Sequence, residues 1–272
     1  MSDEAVQATP LLAPPAPAAP SQIPEDFPLL TSARFVVREC LSSRGIGALA
    51  HVVRRIDSFL DTISGLGAVV RACHRGESTR ALTYLAARDT ESFWERAAAF
   101  AATNGHVHVL QWLHEYHPDR CNWTTYTMDG AAMMGNLSTV QWLHENRTEG
   151  CTFLAMDQAA GNGYLEVVEW LHANRSEGCS QFAIENAAGS GHLALVQLLH
   201  EHYTDVSTGH AIQVAARNGH LAIVQWLYSE TGEDGERYRD LAELASANAI
   251  ANKRLDVAEW LNMQRSKHRR LQ

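Results

Sequence analysis

The block Ala-Ala-x-x-Gly-x-Leu-x-x-Val-x-Trp-Leu-His recurs along this chain at a nearly fixed spacing. Its copies run Ala101–His114, Ala131–His144, Ala159–His172, Ala187–His200 and Ala215–Tyr228. One bulky position marks the period: Trp112, Trp142, Trp170, Leu198, Trp226 and Trp260, in steps of 30, 28, 28, 28 and 34 residues. A unit this short cannot bury its own apolar face. It must be covered by its neighbours, so the period implies a stacked solenoid. It also points away from catalysis, because a periodic array sets equivalent side chains along an axis instead of converging them on one point.

Each copy splits into two helices. In the third, Met156, Ala159 and Ala160 stand at i, i+3 and i+4, which predicts a first helix over about Leu154–Ala160. Gly161-Asn162-Gly163 stops it, since glycine relieves the positive-φ cost of a helix end. A second helix is predicted over about Leu165–Asn174. Its apolar residues Leu165, Val167, Val168, Trp170 and Leu171 fill more than half the circumference, so it must be covered on two sides. Core columns repeat as stacking demands: Met128, Met156, Ile184 and Ile212 on first helices, Val140, Val168, Val196 and Val224 on second helices. The Ala-Ala pairs let helices approach closely. The tryptophan column is read as wedges between successive repeats.

The rest of the chain is divided around this array. Residues 1–30 are Ala/Pro-rich and read as a disordered tail. Residues 31–90 read as a helical N-terminal cap, with a worn repeat at Arg71–Leu85. The repeats fill 91–263, and 264–272 form a basic C-terminal tail. In the last copy Asn252-Lys253-Arg254 replaces the usual glycine break, as suits a terminal cap.

The net charge of −9 argues against non-specific binding to nucleic acid or to an anionic membrane surface. The apolar stretch Leu11–Ala19 is broken by Pro14, Pro15 and Pro17 and is too short to span a bilayer. Five cysteines without a Cys-x-x-Cys pair fit free thiols in a reducing compartment. The expected location is the cytoplasm or the nucleus.

Several motifs have plainer explanations than chemistry. The histidines His114, His144, His172 and His200 recur one per repeat, about 10 Å apart, the distance of packed helices. Zinc ligands must all lie about 2 Å from one ion, so the column is read as packing near helix C-termini. Cys121, Cys151 and Cys179 recur likewise and are read as small packing residues. Gly45-Ile46-Gly47-Ala48-Leu49-Ala50 matches a dinucleotide string but has no parallel sheet around it. Gln264–Arg270 reads as a solvated end, with a nuclear address as the alternative. Ser229–Asp240, six residues longer than its equivalents, reads as a tolerated insertion or an acidic contact loop. No catalytic, cofactor or metal residues are assigned.

Gly-Tyr-Leu-Glu-Val-Val-Glu-Trp-Leu (Gly163–Leu171) and Gly-His-Leu-Ala-Ile-Val-Gln-Trp-Leu (Gly219–Leu227) resemble the second helix of the ankyrin repeat, and the preceding Ala-Ala-x-x-Gly resembles the end of its first helix. The form Trp-Leu-His-x-Asn-Arg-x-Glu-Gly-Cys (Trp142–Cys151, Trp170–Cys179) is similar to short ankyrin-type repeats of expanded oomycete families. The resemblance covers about Trp94–Met263. Two departures stand out. The ankyrin opening Thr-Pro-Leu-His is absent, with Tyr126, Leu154, Phe182 and His210 at its Thr and Asp129, Asp157, Glu185 and Gln213 at its His. The usual period of about 33 is shortened to 28 where the ankyrin β-hairpin finger would lie.

The resemblance implies an all-α, ankyrin-like helical-repeat solenoid with an N-terminal helical cap. It implies a non-catalytic scaffold that binds another protein through the inner groove, as a monomer. Groove positions carried over residue by residue include Met133, Met134, Asn162, Ser190, Arg217 and Asn218. Beside them run the acids Asp129, Asp157 and Glu185, with Tyr126, Leu154 and Phe182 one turn earlier. Such a groove suits a basic or extended segment with hydrophobic anchors. In the competing reading the acids cap neighbouring loops. Other classes remain: an enzyme subunit with its chemistry in Ala33–Arg88, or a secreted effector or surface protein glycosylated at Asn146 or Asn174.

Overall fold

The computed structural model describes residues 67–89, 93–203, 208–230 and 235–270, all within the compact unit Phe59–Gln272. The tail over 1–30, the first part of the cap, the Gly45–Ala50 string and Cys40 lie outside the described residues. The described chain forms fourteen α-helices in pairs. They are α1 Ala68–Arg75 and α2 Thr79–Arg88; α3 Ala97–Thr103 and α4 Val107–Tyr116; α5 Thr125–Met133 and α6 Leu137–Asn146; α7 Phe153–Gly161 and α8 Leu165–Asn174; α9 Gln181–Ser190 and α10 Leu193–His202; α11 Thr208–Asn218 and α12 Leu221–Glu230; α13 Gly235–Ala251 and α14 Leu255–Arg270. No strand occurs among the described residues. The single β contact is an isolated parallel bridge between Trp94 and Cys121.

The odd-numbered first helices pack along one another through the whole stack, while the even-numbered second helices touch their neighbours sparsely. The alanine pairs explain the difference. Ala101, Ala102, Ala131, Ala132, Ala159, Ala160, Ala187, Ala188, Ala215 and Ala216 are all fully buried. With only methyl groups between them, helices approach to about 8 Å, the short end of the packing range. The Met128, Met156, Ile184 and Ile212 column fills the space behind them, and Val140, Val168, Val196 and Val224 face it from the second helices; all eight are buried.

The turn inside each pair needs glycine for two reasons. Gly135 and Gly163 have φ of 75° and 86°, where an L side chain is strained. A Cβ there would also lie 2.5 Å from the ring of the next repeat, Tyr164 over Gly135 and His192 over Gly163. The last pair departs from the pattern: Lys253 takes the glycine position at φ 60°.

The tryptophan column is only partly a core wedge. Trp112 is 3% exposed and donates its indole N–H to Thr83 Oγ1 at 3.0 Å. Trp142, Trp170 and Trp226 are half-buried, each meeting the edge of the preceding repeat's histidine. The ring centroids lie 5.8 Å apart for His114–Trp142, 5.2 Å for His144–Trp170 and 5.3 Å for His200–Trp226, all near perpendicular. Where Leu198 replaces tryptophan, His172 stacks on His202 instead and pairs with the Tyr203 hydroxyl at 3.0 Å.

Two segments read as irregular are helical. Gly235–Asp240 lengthens α13 at its N-terminus, so part of the expected insertion loop is an extra turn of helix. Gln264–Arg270 continues α14 instead of leaving the array as a tail.

The glycine turns yield a paired prediction. Gly163→Ala lowers stability by about 2 kcal/mol, from the left-handed backbone and the displaced His192 ring. Lys253→Gly raises it by about 0.5 kcal/mol, because relieved strain outweighs glycine's entropy cost. Urea unfolding of the two variants checks both signs.

Candidate partner-binding face

Two first helices, α7 and α9, start at a Thr or Ser that caps them, and the preceding repeat holds that cap. Thr152 Oγ1 accepts from Leu154 N–H, capping α7. The same hydroxyl donates to Asp129 Oδ2 at 2.8 Å, and Thr152 N–H donates to Asp129 Oδ1 at 2.8 Å. One repeat on, Ser180 caps α9 and gives both of its hydrogens to Asp157. Glu185 reaches further, to His210 Nδ1 at 2.8 Å. All three acids are buried. Burial raises the Asp129 and Asp157 carboxyls above their ordinary value, while the bonds from Thr152 and Ser180 pull the other way.

The far ends of the first helices are tied across the same boundaries. Asn136 Nδ2 donates to the Ala102 and Thr103 carbonyls, Asn162 Nδ2 to Met133 O at 2.8 Å, and Asn218 Nδ2 to Gly189 O at 2.6 Å. These carbonyls are the ones a helix C-terminus leaves without intrahelical partners.

The loop that replaces the hairpin finger is a charged clasp. Arg147 pairs with Glu149, and Arg175 with Glu177, two residues on. Each arginine also reaches back one repeat, Arg147 Nη1 to His114 Nδ1 and Arg175 Nη1 to His144 Nδ1, both at 3.3 Å. A guanidinium only donates, so each histidine accepts at Nδ1 and carries its proton at Nε2. The Arg147 guanidinium lies over the Trp123 ring at 4.4 Å. Tryptophan, histidine, arginine and glutamate of the recurrent motif thus form one inter-repeat network. The Arg175 bond holds the Glu177 carboxyl down to about 2, and the Arg147 bond lowers Glu149.

With the acids and amides engaged, the exposed first-helix face is different from the one expected. Asp129, Asp157 and Glu185 do not line an open groove: they are sealed at repeat boundaries. Asn162 and Asn218 are helix-end ties. Tyr126, Leu154 and Phe182 do face solvent, at 65%, 41% and 53% exposure. Met134, Ser190 and Arg217 are exposed beside them, and Met133 is half-buried. Between α3 and α5 lies a hollow of about 490 Å³, walled by Phe100, Tyr126 and Met133, floored by Ala99 and Gly130, with Glu95 and Arg96 at its edge. Its origin is local. Ala99 stands where later repeats have the tying acid, and Thr124 at the start of α5 makes no side-chain cap bond.

Sequence reasoning missed Trp94. It is fully buried, stacks on Trp112 at 5.9 Å, donates to Asp89 Oδ2 at 2.9 Å and lies under the Arg120 guanidinium. It closes the first clear repeat from outside the recurrent block, and its only sequence signal was its isolation.

The described cysteines Cys73, Cys121, Cys151 and Cys179 are unpaired. Burial pushes Cys73, Cys121 and Cys179 up to about 12 and Cys151 to about 11, which makes them poor nucleophiles at neutral pH. Among the described residues no group of three or more His, Cys, Asp or Glu is placed to hold a metal ion. No described helix is long and apolar enough to cross a membrane.

Paired helices and an alanine-lined stack define an all-α repeat solenoid. The family comparison says which: residues 156–239 match the model described as ankyrin repeats (3 copies), and residues 128–172 match ankyrin repeats (many copies). Ankyrin repeats are thus found over residues 128–239, and repeats of this kind generally mediate protein–protein interactions. Among solved structures, the crystal structure of the human ASB11 ankyrin repeat domain is similar, at 18% identity over 61% of this chain and 84% of that one, with a TM-score of 0.47. A comparison with curated proteins gives no match.

The clasp gives a pH prediction. The folded value of Glu177, about 2, lies below its ordinary 4.5. Its stabilisation is therefore complete above about pH 4.5 and is lost as pH falls through about 2. Asp129 and Asp157 act oppositely: with raised folded values, their contribution is favourable below 3.8 and lost as pH rises through the folded value. Glu177→Gln should cost about 1 kcal/mol at neutral pH and almost nothing near pH 2. Equal losses at both pH values in urea unfolding would refute the clasp.

Proposed function

We propose that this chain is a non-catalytic scaffold whose partner lies along the exposed row Tyr126, Leu154 and Phe182. The observation that carries this is the contrast within one helix face. Large apolar side chains stay exposed at the same position of three consecutive repeats, while the acids beside them are used up in holding the stack. Apolar surface repeated in register is a mark of an interaction site. The sealed acids remove the reason to expect a basic partner, so the segment bound is apolar and largely uncharged. Met134, Ser190 and Arg217 extend the contact surface.

The test is site-specific photocrosslinking in cells. A photoreactive residue at position 154 or 182 should crosslink the partner, whereas one at Ala173, exposed on α8, should not. Crosslinking from 173 alone would move the binding surface to the second helices. Crosslinks from 154 and 182 should also survive raised salt, because exposed ion pairs are not the source of affinity.

A further inference from the structure

The last described helix pair leaves open the face on which each earlier repeat receives the next one. At the boundaries before it, the second residue of the alanine pair, Ala102, Ala132, Ala160, Ala188 or Ala216, is fully buried. Its equivalent on α13 is Ile250, which is 54% exposed. Leu255, at the start of α14, is 62% exposed, whereas Leu137, Leu165, Leu193 and Leu221 in the same position are half-buried. A solenoid end stays soluble when its outer face is polar, and this face is not.

The face is not suited to a further repeat. The earlier boundaries use a methyl group at the second alanine and a glycine over which the next repeat lays a side chain; two of them add a tying aspartate. On the last pair these positions hold Ile250, Lys253 and Ala247. Lys253 puts a side chain into the space that the next repeat would fill, and Ile250 holds a neighbouring helix further off than alanine does.

We propose that a second copy of this chain covers the face, by antiparallel packing of α13 on α13 about a two-fold axis. The earlier boundaries show which positions point outward. Gly209 points at Leu241 of the next first helix, Asp157 at Ser180, and Gly163 at His192. The equivalent positions at the end are Glu243, Ala247 and Lys253, and all three are exposed, as is Ile250. This set is self-complementary in the order that antiparallel pairing requires. The midpoint of Glu243 and Lys253 falls at residue 248, and that of Ala247 and Ile250 lies half a residue on. A two-fold axis there sets each Glu243 against the partner's Lys253 and each Ala247 against the partner's Ile250. An anion meets a cation twice, and the smallest side chain meets the bulkiest twice. Such a contact uses one patch on both copies. A parallel pairing would set like charge against like, which costs. Arg265 Nη2 donates to Glu243 Oε2 at 2.7 Å, so the carboxylate is already positioned at the face. Exposed ion pairs contribute little, so the apolar layers carry the affinity and the charges set the register.

The test is sedimentation velocity of the full chain over about 1–100 μM, the range of a small interface. The mass should rise from one chain to two and no further. Ile250→Gln, at an exposed site, should weaken dimerisation about tenfold, with thermal unfolding unchanged at concentrations where the chain is monomeric. Glu243→Lys and Lys253→Glu should each weaken it about tenfold. An equimolar mixture of those two variants should dimerise as well as the unaltered chain, because each reversed charge then meets its opposite. A chain monomeric throughout, oligomers larger than two, or a dimer indifferent to Ile250→Gln overturns the proposal. So does a mixture no better associated than its components. The crosslinks from residues 154 and 182 test a separate reading, which stands or falls without this one.

Discussion

The hydrogen bonds from Thr152 to Asp129 and from Ser180 to Asp157 cross the boundary between repeats, and much of the architecture depends on them. A helix leaves its first N–H groups without partners. Here the cap residue supplies one partner to its own helix and gives its remaining hydrogens to the helix before it. The carboxylate therefore fixes where the next first helix begins. With the alanine pairs setting the distance and the carboxylate setting the start, two neighbouring first helices have one register. The 28-residue repeat lacks strands between its described pairs, so side chains replace the hairpin hydrogen bonds that would otherwise link one repeat to the next.

The same ties decide what is left for function. A buried carboxylate accepting two or more bonds has no capacity for a partner. A carboxamide that caps the preceding helix has spent its donors in the same way. What stays free is the row one turn away, together with the hollow at Thr124, where the tie is missing because Ala99 replaces the acid. Inter-repeat contacts and solvent-facing apolar positions thus alternate along α5, α7 and α9. The outer side is committed differently, to the network of tryptophan, histidine, arginine and glutamate that gives the recurrent motif its particular form.

The pairs of helices, their glycine breaks and their core columns were legible in the sequence, because equivalent positions recur at a fixed period and burial follows the period. The predicted first helix over about Leu154–Ala160 differs from Phe153–Gly161 by one residue at each end, and the second matches Leu165–Asn174. The acids were harder. Asp129 follows Tyr126 by three residues, which is about 60° short of a full turn. That offset separates a side chain facing solvent from one facing the next repeat, and periodicity carries no information about it. The clue available was the Thr or Ser 23 residues after Asp129 and Asp157, a separation that becomes meaningful only once the stacking is known. The histidine column was correctly read as packing, but its partners were not visible, because each contact joins different repeats.

The most direct test of the carboxylate ties is a double-mutant cycle between Asp157 and Ser180. Asp157→Ala, Ser180→Ala and the double variant are compared with the unaltered chain by urea unfolding. If the tie holds successive repeats in register, the coupling is about 1.5–3 kcal/mol, the range for hydrogen bonds to a charged group shielded from water. A coupling within about 0.3 kcal/mol of zero, the scatter of independent sites, would show that the alanine stack alone sets the register and that the acids are incidental.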